Sequence, residues 1–184
     1  MTSPKTAGAD DLAAVYRDLH QHPELSFADT RTAAVVANRL RGIGFDTTGV
    51  LRNGPGPAVL LRADMDALPM AERTGLSYAS VASGVDAGGN EVPVAHSCGH
   101  DVHVACLLGA AQRLAEAQSS WRGTVVTVFQ PAEELGRGAQ AMIDDGPPCI
   151  GTAARTVTIS RGSPGRSGNR PGGAGDGCLE PRSS

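Results

Sequence analysis

The chain has 184 residues, 40% of them hydrophobic and 19% charged, with a formal net charge of -3, so one ordinary domain is the natural expectation. Aromatics make up only 3%, which leaves a core to be built from Ala, Val and Leu. The small negative charge excludes the basic footprint of a nucleic-acid or anionic-membrane binder.

The N-terminus has no basic segment followed by an apolar run, and no stretch approaches the ~20 apolar residues of a membrane span. These absences lead us to expect a cytoplasmic protein, in which Cys98, Cys106, Cys149 and Cys178 stay as thiols. Residues 1–10 carry no pattern and read as a flexible start.

From Asp11 to about Gln21, Leu12, Val15, Tyr16 and Leu19 recur at helical spacing, and Pro23 ends the helix. A second helix begins at a cap formed by Asp29 or Thr30. Its apolar stripe is Ala33, Val36, Ala37 and Leu40, and it stops at Gly42 and Gly44. Phe45–Leu51 predicts a strand, residues 54–57 a forced turn, and Ala58–Leu61 a short apolar strand buried on both faces.

Residues 71–95, rich in Gly and Ser, read as a long surface excursion returning to the core near Val92–Ala95. A helix follows from Asp101 to about Gln118, with Val102, Ala105, Leu108, Ala111 and Leu114 or Ala115 facing inward. Gly123–Gln130, which is β-branched and bounded by Gly and Pro, is the strongest strand, and a short helix is expected over Gly138–Asp144. Alternating helices and apolar strands predict an α/β fold with a mostly parallel sheet flanked by helices.

Beyond Gly146 the composition changes. Pro147–Ser184 contain Pro, Gly, Ser and Arg in abundance and no Phe, Tyr, Trp, Met or His. Such a segment buries too little surface to offset its ordering entropy, so a disordered tail over 147–184 is expected after a domain spanning 11–146. Either a natural tail or a GC-rich gene read out of frame accounts for this composition, and the second is favoured because it begins where an α/β domain should continue.

Three segments carry chemistry. His96-Ser97-Cys98-Gly99-His100-Asp101 precedes a helix, and with His103 places three imidazoles and a thiol within eight residues. A helix N-terminus favours a thiolate, and Cys98 and His100 offer one soft and one imidazole donor to a metal. Either residue alone reads more simply as a small core cysteine or a surface histidine. Gln130-Pro131-Ala132-Glu133-Glu134 follows the best strand. Hydrolysis uses two carboxylates in different roles, one on a metal and one carrying the proton of water, although a solvated acidic turn is equally compatible. Arg62-Ala63-Asp64-Met65-Asp66-Ala67-Leu68-Pro69 follows an apolar strand. Asp66 there could orient a metal-bound imidazole and Asp64 could lie near the ions, with a polar turn as the alternative.

Taken in order, Leu19–Phe27 (LHQHPELSF), Leu61–Pro69 (LRADMDALP), His96–Asp101 (HSCGHD) and Gln130–Glu134 (QPAEE) resemble the peptidase-like metallo-amidohydrolases. The branch is that of hippurate hydrolases, N-acyl-amino-acid amidohydrolases and indole-acetyl-amino-acid hydrolases. The resemblance implies a partial zinc-peptidase-like domain with Cys98, His100 and Glu134 as metal ligands, Glu133 as general base and Asp66 as the acidic residue that steers the site. It also implies two divalent ions, manganese or zinc, in the complete site, and a small N-acyl amino acid or amide as the substrate of metal-activated water.

Members of that family carry two further histidine ligands and an inserted dimerisation lid, whereas this chain has no histidine after His103. A truncated chain is therefore expected, either a poor catalyst or an inactive metal-binding fragment. A thiol hydrolase using Cys98 and His100 is a further alternative that would leave the Glu pair unused.

Overall fold

A computed structural model describes residues 9–46, 49–146 and 154–158. Its elements are α1 (Ala9–Gln21), α2 (Thr30–Gly42), β1 (Val50–Asn53), β2 (Ala58–Asp64), β3 (Ser83–Val85), β4 (Glu91–Pro93), α3 (His100–Glu116), β5 (Gly123–Gln130), α4 (Gly138–Asp144) and β6 (Ala154–Thr158). The main sheet has the order β1-β5-β2-β6. Strand β2 runs parallel to β5 and β6, while β1 is antiparallel to β5. The fold is α/β with a mixed sheet, parallel at its centre. Among the described residues no helix is long and apolar enough to cross a membrane.

Helices α1 and α2 both pack on α3, which lies on β2. The core joins Val15 and Leu19 of α1, Val36 and Leu40 of α2, Val104, Leu108 and Ala111 of α3, and Phe45, Leu51, Met65 and Val125 from the sheet side. These are small aliphatic side chains for the most part, as the low aromatic content requires.

Several expectations need correction. The inner face predicted for α3 holds at Ala105, Leu108 and Ala111, which are buried, but Val102 is 44% exposed and Val104 and Leu107 are fully buried as well. The cause lies at the helix start, where His100 and Asp101 are themselves buried and fix which face turns inward. Asp29 makes no capping bond to α2. Glu24 supplies the cap from outside, its two carboxylate oxygens accepting from Arg31 N at 2.9 Å and Thr32 N at 2.7 Å.

The strand predicted over Phe45–Leu51 begins only at Val50, because Asp46 closes a turn: its N–H donates to Val50 O, and its Oδ1 accepts from Val50 N. Strand β2 is longer than predicted and only partly buried along most of its length. The excursion over 71–95 contains the β3–β4 hairpin, pinned by the buried Ser80, whose hydroxyl donates to Val94 O at 2.7 Å.

Of the segment expected to be disordered, only Ala154–Thr158 lies among the described residues, and it forms β6 on the edge of β2. Thr156, Val157 and Thr158 are β-branched, and parallel pairing with β2 supplies the backbone partners that an isolated segment would lack. The rest of the predicted tail, and residues 1–8, fall outside the described residues.

Candidate metal and proton-transfer site

Strands β2 and β5 are in parallel register, Asp64 opposite Gln130, so the loops after both leave the sheet at the same edge. That edge is where ligands gather in α/β sheets. Met65 N extends the pairing by donating to Gln130 O at 3.0 Å. The next turn is made by Ala132, fully buried with φ 49°, a left-handed conformation that costs a non-glycine residue about 1 kcal/mol. It directs the following amides onto one carboxylate: Glu133 N donates to Asp66 Oδ1 and Glu134 N to Asp66 Oδ2, both at 3.1 Å.

Asp66 is 1% exposed, and Ser26 Oγ also donates to its Oδ2 at 2.6 Å. Burial works to raise its pKa, but His100, Ser26 and the two amides outweigh it and hold the carboxyl at about 2. Asp66 therefore fixes the loop that carries Glu133 and Glu134.

His100 opens α3, entered through Gly99 at φ 80°. Its Nδ1 is 2.9 Å from the backbone oxygen of Asp66 and 3.4 Å from the Asp66 carboxylate. The closer acceptor is thus the carbonyl, not the side chain expected from sequence. A carbonyl oxygen only accepts, so Nδ1 carries the proton. That leaves Nε2 facing Glu133 Oε2 at 3.7 Å and Glu134 Oε1 at 3.9 Å. Burial opposes a charge on His100, yet its bonds to Asp66 and the charges of Asp66 and Asp64 push its pKa up to about 9.

Donor atoms within 4.8 Å of one another form two triples among the described residues, His100 with Glu133 and Glu134, and His100 with Asp64 and His103. The two share His100, and the His103 and His100 rings lie 5.5 Å apart. Asp64 is also engaged by Arg62. Cys98 belongs to neither triple. It is exposed while His100 is buried, the reverse of the core-cysteine and surface-histidine reading. The Glu134 carboxylate beside it, with burial and further acidic charge, pushes the Cys98 thiol up to about 11. Without an ion the nearby carboxylates thus outweigh the helix N-terminus at Cys98, and a bound cation would act in the opposite direction, favouring the thiolate.

The donor set fits a cation. Glu134 Oε1 is buried and has no hydrogen-bond partner, a costly state for a carboxylate oxygen unless a positive ligand meets it. Imidazole and carboxylate, with a thiol adjacent, are a zinc-like donor set. His96, whose ring nitrogens also lack partners, is held down at about 4 by burial and contacts neither triple by hydrogen bond.

Sequence reasoning counted His103 among the clustered imidazoles without giving it a separate role, and it assigned none to Ser26 or the His20–Asp101–Glu72 cluster. Ser26 lies within the first motif, which was its only signal.

Gly138 holds the Glu-bearing loop closed. Its N–H donates to Ala132 O at 3.1 Å, and a methyl group there would overlap the carbonyl oxygen of Pro131. Gly138→Ala is therefore expected to lower the unfolding free energy by about 2 kcal/mol. Gly136→Ala, at φ 62° with open space around it, should cost about 1 kcal/mol from backbone conformation alone. Urea unfolding of the two variants checks this, and equal costs would contradict the close packing at Gly138.

Residues 60–165 match the family model described as Peptidase family M20/M25/M40, a span that continues past Gly146 through β6. The chain is 44% identical over 145 residues to an N-acetyl-L-cysteine deacetylase of Bacillus subtilis, covering 73% of this chain and 33% of that protein. It is 40% identical to the IAA-amino acid hydrolase ILR1-like 6 of Arabidopsis thaliana, over 73% of this chain and 29% of the relative. A crystal structure described as a dinuclear metal-binding peptidase of the M20 family, from Bacillus subtilis, superposes with a TM-score of 0.65 at 33% identity. That match covers 74% of this chain and 39% of the other. The chain thus spans about a third of the length of the curated relatives it matches. With the four motifs converging on one sheet edge, the family match establishes that this chain belongs to Peptidase family M20/M25/M40.

Proposed function

We propose that the chain serves a metal-dependent hydrolase that cleaves the amide bond of N-acyl amino acids or similar small amides. The observation that carries this reading is the buried Glu134 Oε1, which has no hydrogen-bond partner, set 3.9 Å from His100 Nε2 with Glu133 beside both. The names of the two relatives, which concern an N-acetyl amino acid and an amino acid conjugate, support the substrate class.

His100, Glu134 and the adjacent Cys98 would hold a divalent ion, zinc or manganese. When bound, it would make water acidic enough to attack an amide and polarise the amide oxygen. Glu133, whose side chain is 43% exposed, stays free to take a proton from that water and hand it to the leaving nitrogen. Asp66 acts through others: its carbonyl sets the His100 tautomer, and its carboxylate fixes the two glutamate amides.

Three donors make one open site. Calorimetric titration of the chain with zinc or manganese is expected to give one ion per chain, with chelator-sensitive release of the acyl group from N-acetyl or N-benzoyl amino acids. Failure to bind either ion, or turnover indifferent to a chelator, would overturn the assignment.

A further inference from the structure

Beside the carboxylate loop lies a surface that metal binding and proton transfer leave unused. Phe27 has φ 63°, a strained conformation for a residue with a bulky ring, and yet its side chain is not core: the residue is 50% exposed. Its neighbours lock it there. Ser26 donates to Asp66 at 2.6 Å, and Ala28 N donates to Leu25 O at 2.8 Å. The chain therefore spends backbone strain to present an aromatic face to solvent one residue from a group that organises the site.

The guanidinium carbon of Arg137 lies 5.7 Å from the centroid of that ring. The ion pairs made by arginines among the described residues use Arg31, Arg39, Arg52, Arg62 and Arg113, so Arg137 has no carboxylate of its own there. Its position is fixed by the turn after the Glu pair, in which Gly136 N donates to Glu133 O at 2.8 Å and Arg137 N to Ala132 O at 3.2 Å. Leu135, also 50% exposed, stands on the same turn. An exposed ring and an exposed aliphatic group beside an unpaired guanidinium suit a small ligand with an apolar part and an anionic end. A planar guanidinium binds a carboxylate through two parallel hydrogen bonds.

We infer that Phe27, Leu135 and Arg137 form a substrate-recognition surface at the rim of the site, Arg137 taking the free carboxylate of an N-acyl amino acid and Phe27 and Leu135 packing its apolar part. The identity of the ligand rests on the hydrolase reading above; the demand for a carboxylate is separate from it. It selects acids over neutral amides of the same shape.

The test is equilibrium binding of N-benzoylglycine and of its uncharged primary amide to the zinc-loaded full chain carrying Glu133→Gln, which prevents turnover. The acid should bind about tenfold tighter than the amide. Adding Arg137→Met should remove that preference, and Phe27→Leu should weaken acid and amide alike by about threefold. An acid-to-amide ratio that Arg137→Met leaves unchanged, or no binding of either compound at millimolar concentration, would overturn the inference. Turnover by the unsubstituted chain is measured alongside. An Arg137-dependent preference without any hydrolysis would sink the hydrolase reading and keep the surface, whereas hydrolysis with an Arg137-independent ratio would do the opposite.

Discussion

His20→Leu is expected to lower the unfolding free energy by about 3–5 kcal/mol at pH 6, because it strands two buried carboxylates. His20 Nδ1 lies 2.6 Å from Asp101 Oδ2 and Nε2 lies 3.1 Å from Glu72 Oε1, and the three side chains are 8%, 2% and 6% exposed. Both neighbours are carboxylates that accept, so both ring nitrogens donate and the ring is an imidazolium. Burial opposes that charge, but the bonds to Asp101 and Glu72 outweigh it and raise the pKa above its ordinary 6.5. The folded-state value therefore exceeds the unfolded one. Stabilisation from the charge is full below about pH 6.5 and is lost as pH rises through the folded value. Leu roughly conserves volume, so packing alone costs little. Urea unfolding of both proteins at pH 6 and at pH 9.5 checks the sign: the gap should narrow at the higher pH. A gap under about 1 kcal/mol at pH 6, or one that widens with pH, would show that the cluster is not held by its charge.

This cluster joins α1, the start of α3 and the loop after β2, and Tyr16 and Tyr78, the chain's two tyrosines, both pack on the His20 ring. None of that was legible in the sequence, since Glu72 and Asp101 are 52 and 81 residues from His20 and no local pattern couples them. Periodicity and turn chemistry, by contrast, are local. They were enough for β5 and α4, whose bounds agree with the prediction, and for the three longer helices to within two residues. Local pattern failed where tertiary contacts decide. Apolar spacing alone placed Val102 on the inner face of α3, but at the helix start that face is taken by the buried ring of His100, tied to the Asp66 carbonyl, and Val102 is exposed. The β3–β4 hairpin was missed because its exposed strands lack the apolar alternation that marks a half-buried strand.

The same division runs through the candidate site. Residue types and their positions beside strands marked His100, Glu133, Glu134 and Asp66 as candidates, the resemblance implied their roles, and the fold brings these four together, while Cys98 lies outside both donor triples. What sequence did not reveal is how Asp66 acts. Its carboxylate is occupied by Ser26 and two backbone amides, and its carbonyl, a group every residue possesses, meets the imidazole. Backbone acceptors are invisible to residue-type reasoning. The approach of Glu134 to Cys98 was also out of reach, because it depends on the left-handed turn at Ala132, a conformation that alanine does not advertise.

Exchanging one oxygen for an amide nitrogen in each glutamate should separate their roles. Glu134 Oε1 is buried without a donor and faces His100 Nε2 at 3.9 Å, so Glu134→Gln removes a negative ligand from the proposed ion position. Zinc affinity should fall by at least about tenfold. Glu133 presents Oε2 at 3.7 Å from the same nitrogen, but its side chain is 43% exposed against 17% for Glu134, which suits a group that meets water and substrate rather than the ion. Glu133→Gln should leave zinc affinity within about twofold while lowering turnover of an N-acyl amino acid by about 10²–10⁴-fold, the range for loss of a proton carrier. Both amides remain anchored because the Asp66 bonds are made by the backbone N–H groups of residues 133 and 134, so neither substitution should unfold the loop. Unfolding curves for the two variants that overlay the parent would confirm that the effects are chemical. Zinc titration and turnover measured on the same preparations then decide the assignment: equal zinc loss in both variants would mean that both carboxylates hold the ion, and the proton carrier would have to be sought elsewhere at the site.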